Sequence, residues 1–209
     1  MLRTATATTA KGKRVLEDRE PQVHENPKTC LFLKGHSTSQ IVNDVLHDLS
    51  ALKKPHSIML TKKNKILPFE DISSLEFISK KNDASMFVLG NHTKKRPNNL
   101  IIGRMFDHQL LDMLELQVVN YKGLAQFVAT KCHVGSKPLF IFQGEQFHLN
   151  GTGSDSYSKL ANLVVDLFKG EQIDSIDLQG LEYVIAVSAL SDGTEGTVQF
   201  KVYSIKMEK

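Results

Sequence analysis

Two short stretches decide the fold: Leu31-Phe-Leu-Lys-Gly35 and Leu139-Phe-Ile-Phe-Gln-Gly144. Each is a brief apolar run closed by glycine, the length of a buried strand rather than of a helix. A helical repeat follows each one. Ile41, Val42, Val45, Leu46, Leu49 and Leu52 recur at three- and four-residue spacing after the first, and Leu160, Leu163, Val164, Leu167 and Phe168 after the second. Period-two segments come next: Ser85–Leu89 and Leu100–Phe106 around the polar loop Asn91–Asn99, then Tyr183–Ala189 and Val198–Ile205 around Ser191–Gly196. The order strand, helix, strand, loop, strand therefore occurs twice. The expected fold is α/β, two similar lobes in one compact domain.

Outside this repeat, residues 56–68 read as a basic loop. A short helix is expected after Pro68, with Ser73 and Glu76 in capping-box spacing. A further strand is expected around Leu114–Val119, and 120–136 reads as a connection. Residues 1–27 are polar, interrupted by Pro21 and Pro27, and read as a flexible basic extension, helical at most around Val15–Glu20. All 6 prolines fall in loops or at element edges, which supports the division.

Composition bounds the class. With 209 residues, 41% of them hydrophobic, the chain can build one sizeable core or two small ones. No apolar run approaches the roughly 18 residues a membrane span needs, and Met1–Lys13 holds no hydrophobic signal segment. The 2 cysteines, Cys30 and Cys132, stand far apart, without a disulfide framework or zinc spacing, and are expected reduced and unbridged. A soluble intracellular protein is the expectation.

The net charge of +3 hides an asymmetry. Residues 1–99 carry 17 Lys and Arg against 10 Asp and Glu, a balance of +7, whereas residues 100–209 carry 9 against 13, a balance of −4. Such a split suggests that one half faces a polyanion. The candidate RNA contacts are the bunched cations Lys53, Lys54, Lys62, Lys63, Lys65, Lys94, Lys95 and Arg96. Lys94-Lys95-Arg96 sits where a hairpin tip would carry long cationic side chains to a phosphate backbone. Most phenylalanines fall inside apolar stretches, so no stacking platform is visible, and backbone and shape recognition of structured RNA is favoured.

Catalytic chemistry finds little support. The 8 histidines lack metal-ligand spacing. In an extended segment Cys132 and His133 would point to opposite faces. Asn150-Gly-Thr-Gly-Ser-Asp155 opens a helix but lacks the full P-loop pattern and its lysine, and reads as a turn with a cap. Glu70, Asp71 and Glu76 suit a helix N-terminus better than an acid–base pair. An enzyme, a cofactor and a metal are not expected.

Four segments carry a resemblance: Leu49-Ser-Ala-Leu-Lys-Lys-Pro55, Asn64-Lys-Ile-Leu-Pro-Phe-Glu-Asp71, Ser74-Leu-Glu-Phe-Ile-Ser-Lys-Lys-Asn-Asp83 and Lys137-Pro-Leu-Phe-Ile-Phe-Gln-Gly144. From about residue 28 to the end, the chain resembles the Brix-domain family of ribosome assembly factors. The resemblance implies two anticodon-binding-like α/β halves related by a pseudo-repeat, about 28–120 and about 137–209, without catalytic activity. It implies an obligate heterodimer partner, the regulator of ribosome synthesis. With it the protein would bind 5S rRNA and its two ribosomal proteins and recruit them to the large (60S) subunit precursor in the nucleolus, away from any membrane. The alternative is a protein-interaction scaffold in ribosome assembly without direct RNA contact.

Family members continue with a further strand and a basic tail, which are absent where this chain ends at Met207-Glu-Lys209. A sheet left open there would offer unpaired backbone groups to another chain; the alternative is that a further strand of the same protein fills this place and the partner docks on another edge or on the helices. Val198, Phe200, Val202 and Ile205, on the last period-two segment, are the candidate partner contacts.

Overall fold

In the computed structural model, the described residues are 6–17, 19–20, 23, 26–127, 132–147, 154–170, 175, 180–190 and 196–206. They form a mixed α/β structure of two sheets and four helices. The elements are α1 (Ala10–Glu17), β1 (Cys30–Lys34), α2 (Gln40–Lys53), β2 (Ser57–Lys63), α3 (Ser73–Asn82), β3 (Met86–Asn91), β4 (Asn99–Phe106), β5 (Gln109–Gln117), β6 (Leu139–Gln143), α4 (Ser154–Phe168), β7 (Tyr183–Ala189) and β8 (Val198–Ser204). The first sheet has the order β2-β1-β3-β4-β5 and the second the order β6-β7-β8.

The repeat is visible in the pairing. β1 runs parallel to β3, and β3 antiparallel to β4; β6 runs parallel to β7, and β7 antiparallel to β8. Period-two alternation sends the side chains of the first sheet to two separate cores. Leu31, Leu33, Phe87, Leu89 and Ile101 face α3. Cys30, Phe32, Met86, Val88, Leu100 and Ile102 face the other way, onto α2 and α4. That second core continues without a break into Leu160, Leu163, Val164, Leu167, Tyr183, Ile185 and Val187. The layers are thus α3, first sheet, the α2 and α4 pair, second sheet.

Local chemistry explains the helices. Ser39 caps α2, its Oγ accepting from the Val42 amide at 3.2 Å. Val42 and Leu46 are fully buried, each worth about 1.5–3 kcal/mol of apolar transfer. They lie so close to β3 that a Cβ on Gly90 would stand 2.4 Å from Val42 and 2.9 Å from Leu46. Only glycine lets α2 settle at that depth.

Charge ties the halves together as well. Asp166 on α4 accepts from Arg104 of β4 at 2.7 Å and from Lys28, just before β1, at 2.8 Å. Arg104 also grips Asp112 of β5 with two bonds, 2.9 Å and 2.5 Å. Burial alone would raise the Asp166 pKa, but the hydrogen bonds from Lys28 and Arg104 outweigh it and hold the carboxyl below its ordinary value.

Several local expectations are corrected. The basic loop at 56–68 contains strand β2, which pairs parallel with β1 from Cys30↔Ser57 to Lys34↔Lys63. As an edge strand it buries only half of Ile58, Met59 and Leu60, so its polar end masked the pattern. The capping box of α3 does not form: Asp71 accepts from the Ser73 amide instead, and Glu76 reaches across to the Leu110 amide. The strand expected at 114–119 is β5 and begins at Gln109, after a tight turn in which Asp107 and His108 both hold positive φ. The N-terminal helix lies at Ala10–Glu17 rather than Val15–Glu20. Cys30 is buried in the core and Cys132 is exposed.

Replacing Arg104 with alanine leaves Asp112 and Asp166 sharing a half-buried site without their common cation. The expected result in urea titration is a loss of about 1–3 kcal/mol of unfolding free energy. Because the Asp166 pKa is depressed in the folded chain, its share of that loss is complete above about pH 4. It vanishes as pH falls through the lowered value. A gap between variant and parent that stays constant down to strong acid would refute this account of Asp166.

Candidate nucleic-acid interface

β1, β2 and β3 are parallel, so their C-terminal ends lie together. The hairpin between β3 and β4 projects from that same end. Lys62, Lys63 and Lys65 are exposed at the end of β2, where the Asn64 amide donates to the Lys34 carbonyl at 2.9 Å. Lys94 and Lys95 are exposed at the tip of the hairpin. The two groups are two to three strands apart, about 10–14 Å at normal spacing. The N-terminus of α2, with no acidic residue in its first turn, points to this end and adds its positive dipole.

The hairpin is held firmly. Thr93 and Arg96 close its tip through Thr93 N to Arg96 O and Arg96 N to Thr93 Oγ1, both 3.1 Å. At its base the Asn98 amide donates to His92 Nδ1 at 3.1 Å, and Ser39 Oγ, the α2 cap, donates to Asn98 Oδ1 at 2.7 Å. Asn98 holds positive φ, a conformation that asparagine tolerates. The fold thereby fixes where the two lysines stand before any ligand arrives.

The structure divides the eight candidate cations. Arg96 shares this end but is engaged by Glu115 at 2.8 and 3.1 Å, and Asn99 holds the same carboxylate at 2.6 Å. Lys53 and Lys54 stand at the opposite end of α2, about 20 Å away along a helix of this length. Lys54 is exposed there. Lys53 is only 4% exposed, packed near Cys30 and Lys28, and burial lowers its pKa. An ammonium in that position cannot reach a phosphate backbone, so Lys53 does not belong to the surface expected of it. Its place in the last turn of an amphipathic helix, in step with Leu46 and Leu49, was the available signal.

The partner candidates fall together. Val198, Phe200 and Val202 share one face of β8, an edge strand of the second sheet among the described residues. Phe200 leans on Phe168 of α4 with ring centroids 6.2 Å apart. Ile205 follows the strand, its amide bonded to the Glu182 carbonyl at 2.7 Å.

Elsewhere, polar clusters are spoken for. Glu182 accepts from the His133 amide and from Ser136 Oγ, at 2.6 and 2.7 Å, and contacts His133 Nδ1. These bonds, chiefly those from His133 and Ser136, bring its pKa down to about 2 and raise that of His133. Burial and the Glu182 charge push the Cys132 thiol up, the reverse of what a nucleophile requires. The glycine-containing turn at 150–153 lies outside the described residues. Among the described residues no group of three His, Cys, Asp or Glu could hold a metal ion.

Comparison with known proteins then places the chain. The Brix domain matches residues 35–209. The chain belongs to the Brix-domain family. It is 48% identical over 214 residues to the ribosome production factor 2 homologue of Schizosaccharomyces pombe, covering 100% of this chain and 66% of that protein. To the human ribosome production factor 2 homologue it is 43% identical over 207 residues, covering 99% and 65%. This Brix chain therefore spans about two thirds of the length of these curated relatives. The crystal structure of a probable ribosomal biogenesis protein from Aeropyrum pernix K1 superposes with a TM-score of 0.55 at 12% identity, covering 85% of this chain and 89% of that one. That likeness shows the fold.

If Lys53 serves the core alone, Lys53→Met should leave RNA affinity unchanged and hold or raise stability by up to about 1 kcal/mol, since a desolvated ammonium is replaced by an apolar chain of similar length. Filter binding and chemical denaturation of the variant check both halves. A tenfold drop in RNA affinity in a folded variant would return Lys53 to the interface.

Proposed function

We propose that this Brix-domain protein is a ribosome production factor that acts by binding and not by catalysis. Together with the regulator of ribosome synthesis, it binds 5S rRNA and its two ribosomal proteins and recruits them to the large-subunit precursor in the nucleolus. The names of its relatives supply the process, and the family resemblance supplies the partners. The observation that carries the RNA contact is the gathering of Lys62, Lys63, Lys65, Lys94 and Lys95 at one end of the first sheet. Exposed lysines on a rigid edge, with no enclosed acid–base set beside them among the described residues, fit phosphate contacts that position RNA.

Salt dependence tests the RNA contact. Changing Lys62, Lys63, Lys94 and Lys95 together to glutamate should weaken binding of 5S rRNA. The slope of log affinity against log salt should flatten by about 0.7–0.9 for each phosphate that is no longer neutralised. Lys54→Glu, at the other end of α2, should leave the slope as it was. A folded quadruple variant with the parental slope would favour the scaffold reading, in which the lysines only keep the protein soluble.

The partner is proposed to pair with β8, an edge strand of the second sheet among the described residues, at Val198, Phe200, Val202 and Ile205. A strand laid along β8 would satisfy its outward amides and cover the half-exposed Phe200. Amide hydrogen exchange with and without the partner should show new protection across 198–205. Protection confined to the helices would move the partner away from this edge while leaving the partnership intact.

A further inference from the structure

The loop leaving the basic end carries an aromatic ring that phosphate binding by the lysines does not use. Phe69 is 54% exposed, and its neighbour Leu67 is 41% exposed. Between and before them, Pro68 is buried and Ile66 is buried in the core beneath α3. The segment therefore alternates, with two residues anchored inward and two held outward. The amides of Glu70 and Asp71 both donate to the Leu67 carbonyl at 2.9 Å, and the Ser73 amide donates to Asp71 Oδ1 at 2.9 Å. The ring is thus mounted on a fixed loop, at most about 14 Å of chain from Lys65.

We propose that Phe69 is a base-stacking residue, taking one unpaired RNA base while the adjoining phosphates lie along Lys62, Lys63 and Lys65. The inference rests on the RNA contact proposed for this end and names the feature of the RNA that this end selects. A ring carried on a backbone that is already fixed spares the loop its ordering cost when a base stacks on it, and stacking is open to any base. The exposed Glu70, next in the chain, repels phosphate from the ring, and Asp71 is occupied by the Ser73 amide. Phosphates are left to the lysine side and the ring to a base. Phe77 on α3 and Phe106 are also exposed, at 69% and 75%, but Phe77 is twelve residues from Lys65 along the chain and Phe106 ends β4 on the opposite side of the sheet. A perfect duplex keeps its bases stacked inside, so the ring discriminates in favour of RNA with a bulged or looped nucleotide.

The chain contains no tryptophan, so Phe69→Trp places a single reporter at the site. The probes are a short RNA duplex and the same duplex with one bulged uridine. The indole emission of the Phe69→Trp variant should be quenched by the bulged duplex and not by the perfect one. Phe69→Ala and Phe69→Leu should both weaken binding of the bulged duplex by about 5- to 100-fold, to the level of the perfect duplex, with the salt slope unchanged. Phe69→Tyr should restore it. Charge reversal at Lys62, Lys63 and Lys65 should instead flatten the slope for both probes. The proposal is overturned if Phe69→Ala binds the bulged duplex as the parent does while the lysine variants still show a flattened slope; the RNA contact then survives alone. It is overturned too if Phe69→Leu matches the parent, or if Phe69→Ala loses only a protein ligand, because either result makes the residue an apolar protein contact. Failure of the parent chain to bind either probe would remove the RNA contact itself.

Discussion

A sheet with two apolar faces must be covered on both, and this requirement organises the molecule. One face of the first sheet is covered by α3, its own crossover helix. The other is shared between α2 and α4, and α4 belongs to the second half of the chain. The apolar surface of each half is therefore completed by the other, and at that seam Asp166 adds a charged contact that draws on two cations, Arg104 and Lys28. Half-buried charges are costly unless each finds its counterpart. The same contacts that join the halves thus fix their relative placement.

Once the first sheet is fixed, its topology does the rest. Parallel strands deliver their C-terminal ends to one side, so cations separated by about thirty residues in sequence arrive together. The helices that return the chain carry their C-termini to the opposite side, which is why Lys54, as basic as any other, stands apart. The exposed lysines of the first sheet therefore face one direction. Glu115 tempers that surface by occupying Arg96, leaving lysines, which bind as point charges, rather than a planar guanidinium fork.

Much of this was legible in the residues. The two Leu-Phe runs, the helical repeats behind them and the paired strands after them all occupy the expected places, because long periodic segments carry their own evidence. β2 escapes such a reading since an edge strand needs only half an apolar pattern, and Thr61-Lys-Lys63 hides the remainder. The start of β5 escapes it because Asp107 and His108 make the turn without glycine. At the site, the lysine clusters were evident but their partition was not. Burial of Lys53 depends on how deeply α2 sinks onto β3 beside Gly90, a tertiary fact. Phe69 resembles any other apolar residue until Ile66 and Pro68 are seen to occupy the inward positions.

The shared core also sets a schedule for synthesis. The inner face of the first sheet is complete once β5 ends at Gln117, yet the helix that finishes covering it ends at Phe168. At 5–20 residues per second, the ribosome needs about 3–10 s to add the intervening fifty or so residues. Through that interval Leu100, Ile102 and Leu114 lack their α4 cover, and Arg104 has only Asp112 for company. The nascent chain must spend those seconds with apolar surface open to solvent and to neighbouring chains. A chaperone bound to the first half until α4 emerges would meet the greatest need at that stage of translation.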